Sequence, residues 1–75
     1  MLKYFTNALE GNASQSLAIN PAHVVTVYEN NLTFKDAEDN VTEVQPVTSI
    51  FTVNNITYNV TDSYLEVVAR FNERD

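Results

Sequence analysis

The chain has one histidine, His23, and no cysteine. A tetrahedral zinc site needs four ligands drawn mostly from imidazole and thiolate, so one imidazole cannot build it. A nucleophile activated by a base would have to use His23. That residue stands in a β-patterned stretch, where a place on a sheet surface accounts for it better. Asp36, Glu38 and Asp39, with Asn40 beside them, gather oxygen ligands in one short run. The run lacks the ligand spacing of a calcium loop and the glycine that turns one, and a solvated hairpin tip explains it. Gly11 is the single glycine, which leaves no material for a phosphate-cradling loop. The eight aromatic residues could stack on nucleobases, but only four Lys and Arg accompany them, and core or interface packing explains them better. These residues predict a protein that is not an enzyme, with no catalytic, cofactor-binding or metal-binding side chains.

Charge narrows the partners. Ten Asp and Glu oppose four Lys and Arg, a formal net charge of −6 among 75 residues. Such a surface repels a phosphate backbone, so nucleic acid is not expected as a partner. It suits a partner with a basic patch, and it also simply keeps a small domain soluble. No apolar run approaches the roughly 20 residues that cross a bilayer, and no secretory signal is visible. The expected location is cytoplasmic, in a host cytoplasm or a virion if the chain is phage-encoded. Asn and Thr are abundant, and five Asn-x-Ser/Thr triplets start at Asn12, Asn31, Asn40, Asn55 and Asn59. Without a secretory signal, chance in an Asn- and Thr-rich chain accounts for them.

The length predicts one domain over residues 1–75, with a thin core. Small domains commonly add a disulfide, a metal or a second copy of themselves. With no cysteine and one imidazole, self-association is the device that remains.

The elements that hold these residues are mostly strands. Leu2 to Thr6 and Ser16 to Ile19 read as strands, with turns at Glu10 to Ala13 and Asn20-Pro21. Ser49–Val53 and Ile56–Val60 read as a hairpin on a two-residue Asn54-Asn55 turn, because Asn tolerates positive φ. That register sets Val53 opposite Ile56 and Phe51 opposite Tyr58, and it gathers Phe51, Val53, Ile56, Tyr58 and Val60 on one face. Ile50 is the exception, left on the polar face. Asn30-Asn31-Leu32-Thr33-Phe34 repeats the chemistry of Asn54-Asn55-Ile56-Thr57-Tyr58. The repetition is either a second hairpin, with strands at His23–Glu29 and Leu32–Lys35 and Val27 opposite Phe34, or an accident of composition. Asp36 to Asn40 reads as a polar loop, Val41 to Val44 as a short strand, and Gln45-Pro46 as a break.

A helix is predicted over about residues 62–73. Ser63 and Glu66 have capping-box spacing, and Asp62 adds negative charge at the positive end of the helix dipole. Tyr64, Val67, Val68 and Phe71 form one apolar stripe, widened by Leu65, and Glu66 and Arg70 can pair on the outer side. About ten residues do not hold a helix in water by themselves, so the stripe must pack on something, and the Phe51/Tyr58 hairpin face is the nearest candidate. The fold class expected is α+β: a small antiparallel sheet, curled towards a barrel, with a C-terminal amphipathic helix. The expected core is Phe51, Val53, Ile56, Tyr58, Val60, Leu65, Val68 and Phe71.

The order of elements resembles a family. An opening strand leads to Leu17-Ala18-Ile19-Asn20-Pro21-Ala22-His23-Val24-Val25, then to a hairpin over Thr48 to Val60, then to Thr61-Asp62-Ser63 and a helix with Glu66-Val67-Val68. This resembles the small FlbD-like proteins of flagellar gene clusters and many short phage proteins. The resemblance covers both ends of the chain, while Asn30 to Val47 stand as an insertion. The family hairpin turns on Asn-Gly where this chain has Asn54-Asn55. The resemblance implies architecture and brings no activity or site residues with it.

The function expected is a small binding or assembly protein, bacterial or phage-encoded, that works through a homo-oligomer or a docking surface. Val24, Val25 and Val27 cannot all face one small core, so with Tyr28 they are the expected interface. The alternative is an acidic, phage-type inhibitor or modulator that grips a basic site on a host or virion protein through Asp36, Glu38 and Asp39.

Overall fold

The computed structural model describes residues 1–8 and 15–73, so the turn expected at Glu10 to Ala13 lies outside the described residues. The strands are β1 (Lys3–Thr6), β2 (Ser16–Ile19), β3 (Val24–Lys35), β4 (Val41–Thr52) and β5 (Thr57–Val60), followed by one helix, α1 (Tyr64–Phe71). The chain is thus small and mostly β with a C-terminal helix. β1 and β2 pair antiparallel, and β3, β4 and β5 form a second antiparallel sheet in that order. The two sheets do not close into a barrel. They meet where Asn7 bridges Val60, with Ala8 N–H donating to the Asn59 carbonyl (2.9 Å) and Thr61 N–H to the Thr6 carbonyl (2.9 Å).

The β4–β5 hairpin is present, but its register differs from the expected one by a single residue. Ile50 faces Tyr58 and Phe51 faces Thr57. The loop is three residues long, Val53 to Asn55. Thr52 N–H donates to the Ile56 carbonyl (3.0 Å), Asn55 N–H donates to the Thr52 carbonyl (3.0 Å), and Asn55 takes φ 62°. A turn followed by one left-handed residue is the standard three-residue hairpin, and Asn enters that region more readily than most residues. One added loop residue exchanges the faces of the paired strands. Ile50 and Val60 are therefore fully buried, while Val53 and Ile56 are 58% and 45% exposed.

β3 corrects the second hairpin. Asn30-Asn31 is no turn; both residues lie within one twelve-residue strand, with Val27 opposite Ile50 and Phe34 opposite Glu43. Gln45-Pro46 is likewise no break, since β4 runs through it. The backbone of β4 explains why. Thr52 turns its N–H towards β5, so by alternation the nitrogen of Pro46 points to the same flank. β5 has ended there, at Val60 opposite Thr48, and no ladder bond is lost. His23 is not a strand residue but the last residue of a 3-10 turn, Pro21–His23, capped by Asn20 Oδ1 on the Ala22 N–H (3.0 Å).

Phe5, Ile19, Ile50, Val60 and Val67 form the core, with Leu17, Val24, Val27, Tyr58 and Phe71 packed around them. Ser63 caps α1, its Oγ accepting the Glu66 N–H (3.2 Å). Within the expected stripe Val67 is fully buried and Tyr64, Val68 and Phe71 are half-buried, but Leu65 is 77% exposed. The helix contacts β1, β3 and β4, and its Val67 packs in a core with Ile50 and Val60 that does not include Phe51. Asp62 ties it down. Its carboxylate accepts the Thr6 N–H (2.7 Å) and Arg70 Nη1 (2.8 Å), and its carbonyl accepts Thr48 Oγ1 (2.7 Å). Arg70 Nη1 also donates to the Tyr4 carbonyl (2.7 Å), and the guanidinium lies 5.3 Å from the centre of the Phe5 ring. The expected Glu66–Arg70 pair is present at 3.7 Å, on the outside of this cluster.

Candidate functional site

The feature that sets the molecule apart is an arm. β3 and β4 are twelve residues each, long enough for about 40 Å of strand. The molecule measures 47 × 22 × 19 Å, so this ribbon sets the long axis. Only the base of the ribbon is covered. Among the described residues, β4 pairs only with β3 beyond the Thr48–Val60 pair, and from Asn30/Val47 outward the ribbon is two-stranded.

The tip is organised by Asp36. Its Oδ1 accepts the N–H groups of Glu38 (2.9 Å) and Asn40 (3.0 Å), its own N–H donates to the Asn40 carbonyl (2.9 Å), and Asp39 takes φ 65°. This is the side-chain-mimicked turn for which Asp is suited. Lys35 Nζ lies 3.3 Å from Asp39 Oδ1. The acidic loop expected to dock on a basic partner therefore has Asp36 committed to its own turn and Asp39 paired with a lysine. The Asn40 amide, and after it the Glu38 amide, hold the Asp36 carboxyl below its ordinary 3.8. A carboxyl depressed in the folded state contributes order that is present above the unfolded value and lost as pH falls through the folded one. Acidification through that range should free the Glu38 and Asn40 amides to exchange while the core amides stay protected. Proton-exchange NMR between about pH 5 and pH 2 reads this directly.

Of the four residues expected at an interface, two turn inward. The β3–β4 register shifts between Val24 and Thr26, a bulge at Val25. The bulge lets Val24 and Val27 both face the core, and it leaves Val25 and Tyr28 outside, 55% and 40% exposed. Further out, Leu32 and Phe34 share one face of the arm with Val47, while Val44 and Pro46 lie on the other. Val41 and Val44 are 57% and 55% exposed.

A cleft of about 610 Å³ lies in the angle between the arm and the start of α1, lined by Glu29, Asn31, Pro46, Asp62 and Tyr64 among others. Its two carboxylates do not form an acid–base pair, because Asp62 is committed to Arg70 and the Thr6 amide. Among the described residues no group of three His, Cys, Asp or Glu is placed to hold a metal ion. Among the same residues no helix is long and apolar enough to cross a membrane. Compared with known proteins, the chain matches no family model, no curated protein and no solved structure.

The arm was hidden from sequence reading by its own signals. Asn30-Asn31 and Gln45-Pro46 are turn-forming words, yet both stand where opposite strands already pair. The available signal was negative: no Gly or Pro interrupts residues 24–35.

Proposed function

We propose that this protein is a non-enzymatic assembly component, and that the β3–β4 arm is the surface through which copies join each other or dock on a larger structure. The observation that carries this reading is the arm itself. A two-stranded ribbon in water is marginal by itself, and a long strand edge is a ready template for another chain. Val41 and Val44 are exposed towards its tip, and Val25 and Tyr28 at its base. A bacterial or phage origin and a host or virion partner belong to the same proposal, as does a curled body of FlbD-like architecture. The arm coincides with residues 30–47, where the chain departs from the FlbD-like pattern, so that likeness concerns the body alone. The reading of the chain as an acidic modulator has less behind it, since the tip acids serve the turn.

Sedimentation equilibrium of the whole chain tests this. A reversible oligomer with dissociation constant below about 100 µM, about −5.5 kcal/mol or stronger, is expected. A strict monomer at concentrations well above that range overturns assembly through copies of the chain.

A further inference from the structure

The two edges of the arm are not equivalent. On the β4 side the flank is interrupted by Pro46 and by the register shift opposite Phe34/Lys35, where Thr42 is the added residue. Proline and bulges are what natural sheets place on edges that must stay unpaired. The β3 strand itself has neither from Thr26 to Lys35, and its register is regular from Thr26 to Phe34.

The groups that this edge offers can be assigned. Asp36 N–H points to β4, bonded to the Asn40 carbonyl, so by alternation the N–H and C=O groups of Lys35, Thr33, Asn31 and Glu29 point to the free side. The Asn31 N–H agrees, since its acceptor is the Asn30 side-chain oxygen (2.9 Å) and not β4. β3 carries two charged residues, Glu29 and Lys35, and Leu32 stands midway between them.

We propose that β3 pairs with β3 of a second copy, antiparallel about a two-fold axis at Leu32. This rests on the assembly reading and names its surface and register. In that register the Glu29 of each copy faces the Lys35 of the other, two ion pairs on one face of the new sheet. The two Leu32 side chains meet on the opposite face, beside Phe34. Asn31 faces Thr33, whose carbonyl replaces the Asn30 side chain as acceptor for the Asn31 N–H. Glu29, Asn31, Thr33 and Lys35 are the outward-pointing residues, so the pairing forms about eight backbone hydrogen bonds. A parallel, in-register copy would set like charges against each other, which is unfavourable. The charge pattern therefore selects an antiparallel copy of this same strand. Lys35 gives up Asp39 for this, a weak exchange between exposed groups.

Three variants test it in the full chain. Glu29→Lys and Lys35→Glu each turn two attractions into two repulsions. Each should weaken self-association by at least roughly tenfold, about 1.4 kcal/mol. An equimolar mixture of the two restores both pairs and should dimerise like the parent, which also shows that both variants fold. Leu32→Cys introduces the only thiol. At the axis the Cα atoms would be about 4.5 Å apart, within disulfide range, so mild oxidation should give a covalent dimer. If the parent chain assembles but neither reversal weakens it, this register is wrong and the assembly reading stands. If the reversals weaken it but the mixture does not recover, the facing of Glu29 and Lys35 is wrong. A parent chain that stays monomeric overturns this pairing and assembly through copies of the chain.

Discussion

Ile50→Ala should destabilise the fold by about 2–5 kcal/mol, the range for emptying a fully buried aliphatic site. Val53→Ala should change stability by less than about 0.5 kcal/mol, as an exposed substitution does. The contrast follows from the β4–β5 register. Ile50 is fully buried, paired with Tyr58 and opposite Val27 across β3, whereas Val53 sits in the loop and is 58% exposed. A two-residue Asn54-Asn55 turn would give the reverse order, with Val53 inside and Ile50 outside. At roughly 0.05–0.15 kcal/mol per residue a chain of this size has about 4–11 kcal/mol in all, so the loss at Ile50 takes a large share. Urea unfolding of the two variants side by side decides the register. Equal effects, or a larger effect at Val53, would falsify it.

Excising the arm should abolish self-association and leave the body folded. Asn30 and Val47 face each other in β3 and β4, and by the alternation argued above they form a hydrogen-bonded pair. Replacing residues 31–46 by Asn-Gly joins them through a two-residue turn of the type that suits a hairpin. No core residue is removed, because every member of the core and of its packed fringe lies outside residues 31–46. The Ser49 hydroxyl also keeps both of its partners, accepting from Asn30 Nδ2 (3.1 Å) and donating to Asn59 Oδ1 (2.6 Å). The unfolding free energy should stay within about 1 kcal/mol of the parent, since the excised residues bury little. The sedimentation coefficient should become that of a compact monomer. An excised chain that still associates would place the assembly surface on the body, where Tyr4, Val25, Tyr28, Val53, Ile56 and Leu65 are among the exposed apolar residues left. An excised chain that unfolds would show that the ribbon supports the body.

Residue types and spacing determined much of this molecule. Ser16–Ile19 is a strand as its pattern indicates, and Ser63 caps the helix whose stripe buries Val67. Asp36 to Asn40 turns the chain because an Asp side chain can stand in for a backbone acceptor. These features are local: each depends on residues within four positions, so the chain itself carries the information. Tertiary structure decided the rest. The choice between a two-residue and a three-residue loop at Asn55 hangs on one left-handed residue, and either loop is acceptable locally. What settled it was burying Ile50 and Val60 together against Phe5, Ile19 and Val67, which come from distant segments. The bulge at Val25 likewise exists because Val24 and Val27 must both reach that core. The arm is the extreme case. Asn30-Asn31 and Pro46 have turn chemistry, and only the strands already registered beneath them carry the ribbon through. The free edge of β3, with Glu29 and Lys35 set about Leu32, became visible once that register was known. The candidate site was therefore not legible from the apolar residues singled out in the sequence, two of which, Val24 and Val27, pack against the core.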